Sequence, residues 1–178
     1  MDLPRAIEAI DHANASDPRT LEVRGSLRPW ALGEGELATL WLEALDPDSP
    51  DTLRIAVRGH HIRRWETPRD SYPEGRAGYL KWRTQLYGIA SEHLTTIMRD
   101  ANYDDAAITR VDNLLHKRGI KTDPDVQTYE DALCLVFLES QFNDFAARTD
   151  DAKLAGIVDK TLAKMSDAAK AQWETFSA

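Results

Sequence analysis

The chain has a single cysteine, no apolar run near the ~20 residues needed to cross a bilayer, and no convincing alternation of β-branched residues. Each absence excludes something. One cysteine cannot build a disulfide framework, and Cys134, inside an apolar run, reads as a small buried hydrophobe. The start, MDLPRAIEAIDHA, lacks the apolar centre of a secretory signal, so the expectation is a cytoplasmic protein without a membrane partner. There is no GxxxxGK[ST] loop, and the GEG at 33–35 is too short to cradle phosphates. No serine sits in a nucleophile elbow. Positive charge is scarce too. Lys and Arg number 22 against 30 acids, and the net charge of −8 argues against general nucleic-acid binding.

What is present is helical periodicity. At 178 residues, 42% hydrophobic and 29% charged, the chain suits one globular domain, residues 1–178. The spacing predicts helices over Leu3–Ala15, Glu34–Leu45, Thr52–Trp65, Ala77–Asp100 and Asp104–Arg118, with a connecting loop at 16–30. Gly119 stops the fifth. Asp123-Pro124 opens the next, with proline at a favoured first-turn position, and it continues to about Ala147. Two short amphipathic helices close the chain. The fold class expected is all-α.

The scarce cations are concentrated. Arg58 to Arg83, RGHHIRRWETPRDSYPEGRAGYLKWR, holds six of the fifteen arginines and a lysine against three acids. Guanidinium forks match phosphate and carboxylate bidentately and stack on rings, so Arg64, Arg69, Arg76 and Arg83, with Tyr72, are candidates for holding an anionic ligand.

Two polar features fall on apolar helix faces. Stepping back from Leu135, Leu138, Phe142 and Phe145 lands on Asp131. A carboxylate there needs a metal, an arginine or a set of backbone donors to offset burial. His61 is four residues from both Val57 and Trp65 and is expected to face inward beside His60. Together with Asp131, these histidines suggest a metal or acid–base site.

The order of these elements resembles the HD phosphohydrolase superfamily. LRIAVRGHHI (53–62) is similar to its apolar helix ending in a His-Asp doublet, and EDALCLVFLE (130–139) to its late Asp helix. The resemblance implies an HD-like bundle and a divalent metal held by His60, His61 and Asp131. Glu34 would take the place of an absent upstream histidine. Glu130 would act as base or orient a ligand, and the substrate would be a nucleotide or other small phosphorylated molecule. The doublet here is His-His, a departure from the superfamily pattern. HIRRW (61–65), PRDSYP (68–73), GYLKWR (78–83), KTDPDVQ (121–127) and EDALCLVFLE resemble a family of small bacterial and fungal proteins whose domain has no assigned function. The alternative to catalysis is a module that binds a nucleotide, an anion or a protein partner through Arg58–Arg83.

Overall fold

The computed structural model describes residues 1–140, 142 and 151–177. Helices α1 (Leu3–Asn14), α2 (Trp30–Leu45), α3 (Asp51–Gly59), α4 (Gly75–Asp100), α5 (Asp105–Leu115), α6 (Pro124–Ser140), α7 (Asp151–Leu162) and α8 (Asp167–Ser177) make up most of the described chain. The all-α expectation therefore holds. Phe145 and the end foreseen for α6 near Ala147 lie outside the described residues.

Helix starts follow local chemistry. Asp2 accepts the Arg5 amide at 3.1 Å to cap α1, and Asp104 accepts the Ala107 amide at 2.8 Å to cap α5. Helix α2 is capped from a distance, because Asp17 accepts the Ala31 amide at 3.1 Å.

The loop expected at 16–30 is instead a small antiparallel hairpin, β1 (Thr20–Val23) and β2 (Ser26–Pro29), in register from Thr20↔Pro29 to Val23↔Ser26. Arg24 and Gly25, at φ 45° and 86°, form its two-residue turn with both residues left-handed, as a type I′ turn requires. Only Leu21 and Val23 face the core, too few positions to produce a visible alternation in the sequence.

Helix α2 packs on both α3 and α6, and α3 also packs on α1, α5 and α6. Leu37, Leu42, Leu53, Ile55, Leu114, Leu115 and Leu135 fill the space between them and are almost wholly buried. Gly35 sets the α2–α3 distance. A β-carbon there would lie 2.6 Å from the Arg58 carbonyl oxygen, so only glycine permits this approach, which brings Glu34 alongside the end of α3. On its other side Arg58 joins α3 to α1, forking onto Asp11 at 2.6 and 2.7 Å.

Helix α3 ends at Gly59, not at Trp65. The chain turns through Arg63, left-handed at φ 52°, whose amide donates to Asn14 Oδ1 at 3.1 Å, and then makes a short 3₁₀ turn at Arg64–Glu66. His60 and His61 thus sit on a helix terminus.

Candidate functional site

The end of α3 leaves carbonyl oxygens without intrahelical partners. His60 uses one of them, its Nδ1 lying 2.8 Å from the Val57 carbonyl oxygen. A carbonyl only accepts, so Nδ1 carries the proton and Nε2 keeps its lone pair. His60 is 8% exposed, and burial, reinforced by its neighbour His61, pushes its pKa down to about 3. It is a neutral imidazole at ordinary pH.

His61 lies against it, ring centroids 4.0 Å apart. Its Nδ1 is 2.6 Å from Glu34 Oε2, and Arg64 Nη1 is 2.6 Å from its Nε2 and 3.2 Å from its Nδ1. A carboxylate only accepts, so the ring proton sits on Nδ1, facing Glu34, and the Arg64 guanidinium, close to both nitrogens, lies against the ring face. Burial, and then the Arg64 charge, hold the His61 pKa well below its usual value. Glu34 is buried on α2 and receives a hydrogen bond from Trp30; burial raises its pKa despite the nearby cations.

Among the described residues, Glu34, His60 and His61 form a group able to hold a metal, with one donor atom from each lying within 4.8 Å of the others. Two neutral imidazoles and a carboxylate are a ligand set of catalytic zinc centres, and a backbone carbonyl behind a ligating histidine is a common orienting partner. The residues fit a divalent ion.

Asp131 does not join this group. Its Oδ1 accepts from Gln127 Nε2 at 2.9 Å and from the Ser166 amide at 2.9 Å, so the carboxylate ties the start of α8 to α6. Of the partners open to a buried carboxylate, it has found amide donors. One residue on a helix is a turn of about 100°, and the acid aimed at the cavity is Glu130. Glu130 pairs with Lys117 and, at 3.6 Å, with Lys164. Burial pushes its pKa up, but the two lysines more than reverse this, so the group stays ionised.

These residues share a cavity of about 320 Å³. Among the described residues its walls carry Arg64, Arg83, Lys117 and Lys164 against Glu34 and Glu130, so these cations outnumber these carboxylates by two when both histidines are neutral. Tyr79, Trp82, Tyr87, Tyr129 and Phe137 supply aromatic surface. The Arg64 guanidinium lies over Trp82, 4.9 Å from the ring centroid, and Arg83 Nε donates to the Tyr87 hydroxyl at 2.6 Å. Cys134 also lines the cavity, buried, with its thiol pushed up to about 12 by burial.

The arginine-rich stretch is divided. Arg64 and Arg83 reach the cavity. Arg69 instead donates to the carbonyls of Tyr72, Pro73 and Gly75, and with Tyr72 it borders a separate shallow depression. Arg76 is exposed. Proline-induced turning of residues 68–73 accounts for the split, because it bends that segment onto itself. Lys117 and Lys164 escaped sequence reasoning. They follow α5 and α7, and neither lies near His60 or His61 in sequence.

Residues 4–177 match the family described as Domain of unknown function (DUF4202). The chain belongs to that family. No curated protein and no solved structure matches it significantly. The DUF4202 match spans nearly the whole chain and therefore includes every residue of the cavity. Among the described residues, no helix is long and apolar enough to cross a membrane.

The buried histidines make a pH prediction for the metal-free protein. The folded pKa of His60 lies below that of an unfolded histidine, near 6.5, so between those values the unfolded chain binds more protons. Stability is thus complete above about pH 6.5 and is lost progressively as pH falls toward 3. For His60 the loss from pH 6.5 to 5.5 is about 1 kcal/mol. His61 adds to it in the same direction, while Glu34, whose pKa is raised, offsets part. Urea denaturation at the two pH values should show a lower midpoint at pH 5.5, and an unchanged or higher midpoint would contradict neutral burial.

Proposed function

We propose that the protein is a divalent-metal-dependent phosphohydrolase of HD-like organisation, acting on a nucleotide or another small phosphorylated molecule. The observation that carries this reading is the placement of Glu34, His60 and His61 on the wall of a cavity whose described residues carry excess positive charge. Glu34, His60 and His61 would hold the ion. A bound divalent ion lowers the pKa of water and polarises a phosphoryl oxygen. Arg83 and Lys117 face the cavity and would bind the ligand's phosphate and offset charge developing on it. Glu130, ionised and buried, would accept a proton from the attacking water. The aromatic walls would stack a base. The order of an early acid, a doublet ending a helix and a late acid facing the same cavity supports the HD-like comparison, with Glu130 in place of Asp131.

One observation favours a second reading, a non-catalytic anion or nucleotide-binding module. Glu34 holds His61 Nδ1, and the Arg64 cation lies 2.6 Å from Nε2, where its charge opposes a metal ion. Metal analysis separates the two. Protein purified without a histidine tag should contain stoichiometric divalent metal, and phosphate release from a panel of nucleotides and sugar phosphates should require it. Metal-free protein that cannot be loaded, yet melts higher with phosphate than with chloride, would overturn the hydrolase and leave the binding module.

A further inference from the structure

Elsewhere in the fold, half-buried arginines end on oxygen. Arg58 forks onto Asp11, Arg110 meets Asp123 and Asp125, and Arg54 donates to the carbonyls of Pro47 and Ser49. Arg64 and Arg83 differ, although both are half-buried on the cavity wall. Among the described residues neither has a carboxylate within ion-pair distance. Arg64 Nη1 is 2.6 and 3.2 Å from the two His61 nitrogens, against the ring face, and its Cζ lies 4.9 Å from the centre of Trp82. Trp82 is itself fixed, because its Nε1 donates to the Thr67 carbonyl at 2.8 Å. Ring contacts occupy the faces of a guanidinium and leave its N–H donors, which point outward in the plane, for another partner. Arg83 commits Nε to the Tyr87 hydroxyl at 2.6 Å and keeps both Nη groups.

Holding two such groups on one small cavity is costly. Burial lowers the Arg64 pKa, and the charges of Arg19 and Arg83 lower it further against the pull of Glu34. Lys117 and Lys164 stand differently, since both pair with Glu130. A bound anion would offset the cost at the two arginines and take up their unused donors. Charge and size fix its class. A phosphate monoester carries about −1.5 to −2 at pH 7, which two guanidinium groups balance. The cavity, at about 320 Å³, stands at the small end of the roughly 300–1,000 Å³ range of ligand sites and suits one phosphate better than a polyphosphate. Tyr79 and Tyr87 on the same wall suit a ligand that carries a ring.

We propose that Arg64 and Arg83 form the seat for a single phosphate group, and that the ligand is a compact phosphate monoester bearing a ring. This rests on the reading of the cavity as a phosphate site and needs no metal. Arg64 presents the edge of its guanidinium because His61 and Trp82 hold its faces, and Arg83 adds its two Nη groups.

The test titrates chelator-stripped full-length protein with inorganic phosphate, phenyl phosphate and tripolyphosphate in chloride buffer at about pH 7, read by isothermal calorimetry. Phenyl phosphate should bind more tightly than either of the others. Arg64→Gln and Arg83→Gln should each weaken it by about 10-fold or more, the loss expected for charged hydrogen bonds. Arg64→Lys should weaken it similarly although the charge is kept, because an ammonium offers no planar fork. Arg76→Ala, at an exposed position, should bind as the wild type does. Thermal melting checks that each variant is folded. Unchanged affinity in folded Arg64→Gln and Arg83→Gln would overturn the seat and leave phosphate elsewhere in the cavity. Tripolyphosphate binding more tightly than phenyl phosphate would overturn the monoester class. Binding of none of the three would overturn the proposal together with the reading of the cavity beneath it. Failure to load a metal, by contrast, overturns the hydrolase and leaves the seat standing.

Discussion

Replacing His60 with alanine should lower divalent-metal affinity by at least about 100-fold, a loss beyond that of removing a mere orienting partner. The reason is local. The Nδ1 proton of His60 is committed to the Val57 carbonyl at 2.8 Å, which fixes the ring and leaves Nε2 as a preset donor. With its pKa near 3, the ring also needs no deprotonation before it ligates at neutral pH. His60→Ala removes that donor and leaves one imidazole and one carboxylate, too few to hold an ion at an open centre. Isothermal titration of metal into stripped protein measures the change. Phosphate release should fall in parallel. Undiminished metal affinity in a folded His60→Ala protein would remove the triad as the metal centre.

Asp131→Ala should destabilise the fold by about 1–3 kcal/mol and leave metal affinity close to that of the wild type. The substitution orphans the Ser166 amide, which donates at 2.9 Å to a carboxylate that is 3% exposed, and a buried polar group without a partner costs about 1–3 kcal/mol; Gln127 Nε2 loses one acceptor but keeps the Lys164 carbonyl at 2.8 Å. Helix α8 then loses its tether to α6. Asp131→Asn should be much milder, because the retained carbonyl oxygen can still accept both hydrogens. Chemical denaturation and metal titration on both variants read the two effects separately. Metal loss without loss of stability would return Asp131 to the metal centre, where the superfamily resemblance had placed it.

That contrast between Asp131 and its neighbour shows how far a sequence pattern reaches. Apolar spacing identified α6 as a helix with a polar group turned inward, and the helix does bury both Glu130 and Asp131. The spacing could not say which acid meets which partner, since a face of an α-helix some 100° wide admits adjacent residues. The partners of Asp131 come from α6 itself and from Ser166, while those of Glu130 come from Lys117 and Lys164. Ser166, Lys117 and Lys164 lie well along the chain from the residues they meet.

The arginine stretch teaches the same point from the other side. Six arginines within 26 residues announced anion chemistry, but local turning spent Arg69 on nearby carbonyls and left Arg76 outside. The hairpin stayed hidden because its strands are four residues long and bury only Leu21 and Val23.

By itself, then, the sequence determined the helical class, most helix positions and the closeness of His60 to His61. These depend on interactions within a few residues: periodic apolar faces and capping acids. Only the tertiary structure decided that Glu34 reaches His61, that Arg64 lies against the His61 ring, and that Glu130 faces the cavity in place of Asp131. Those outcomes depend on how closely α2 approaches α3 at Gly35 and on where distant lysines come to rest, and both are set by packing between elements that are far apart along the chain.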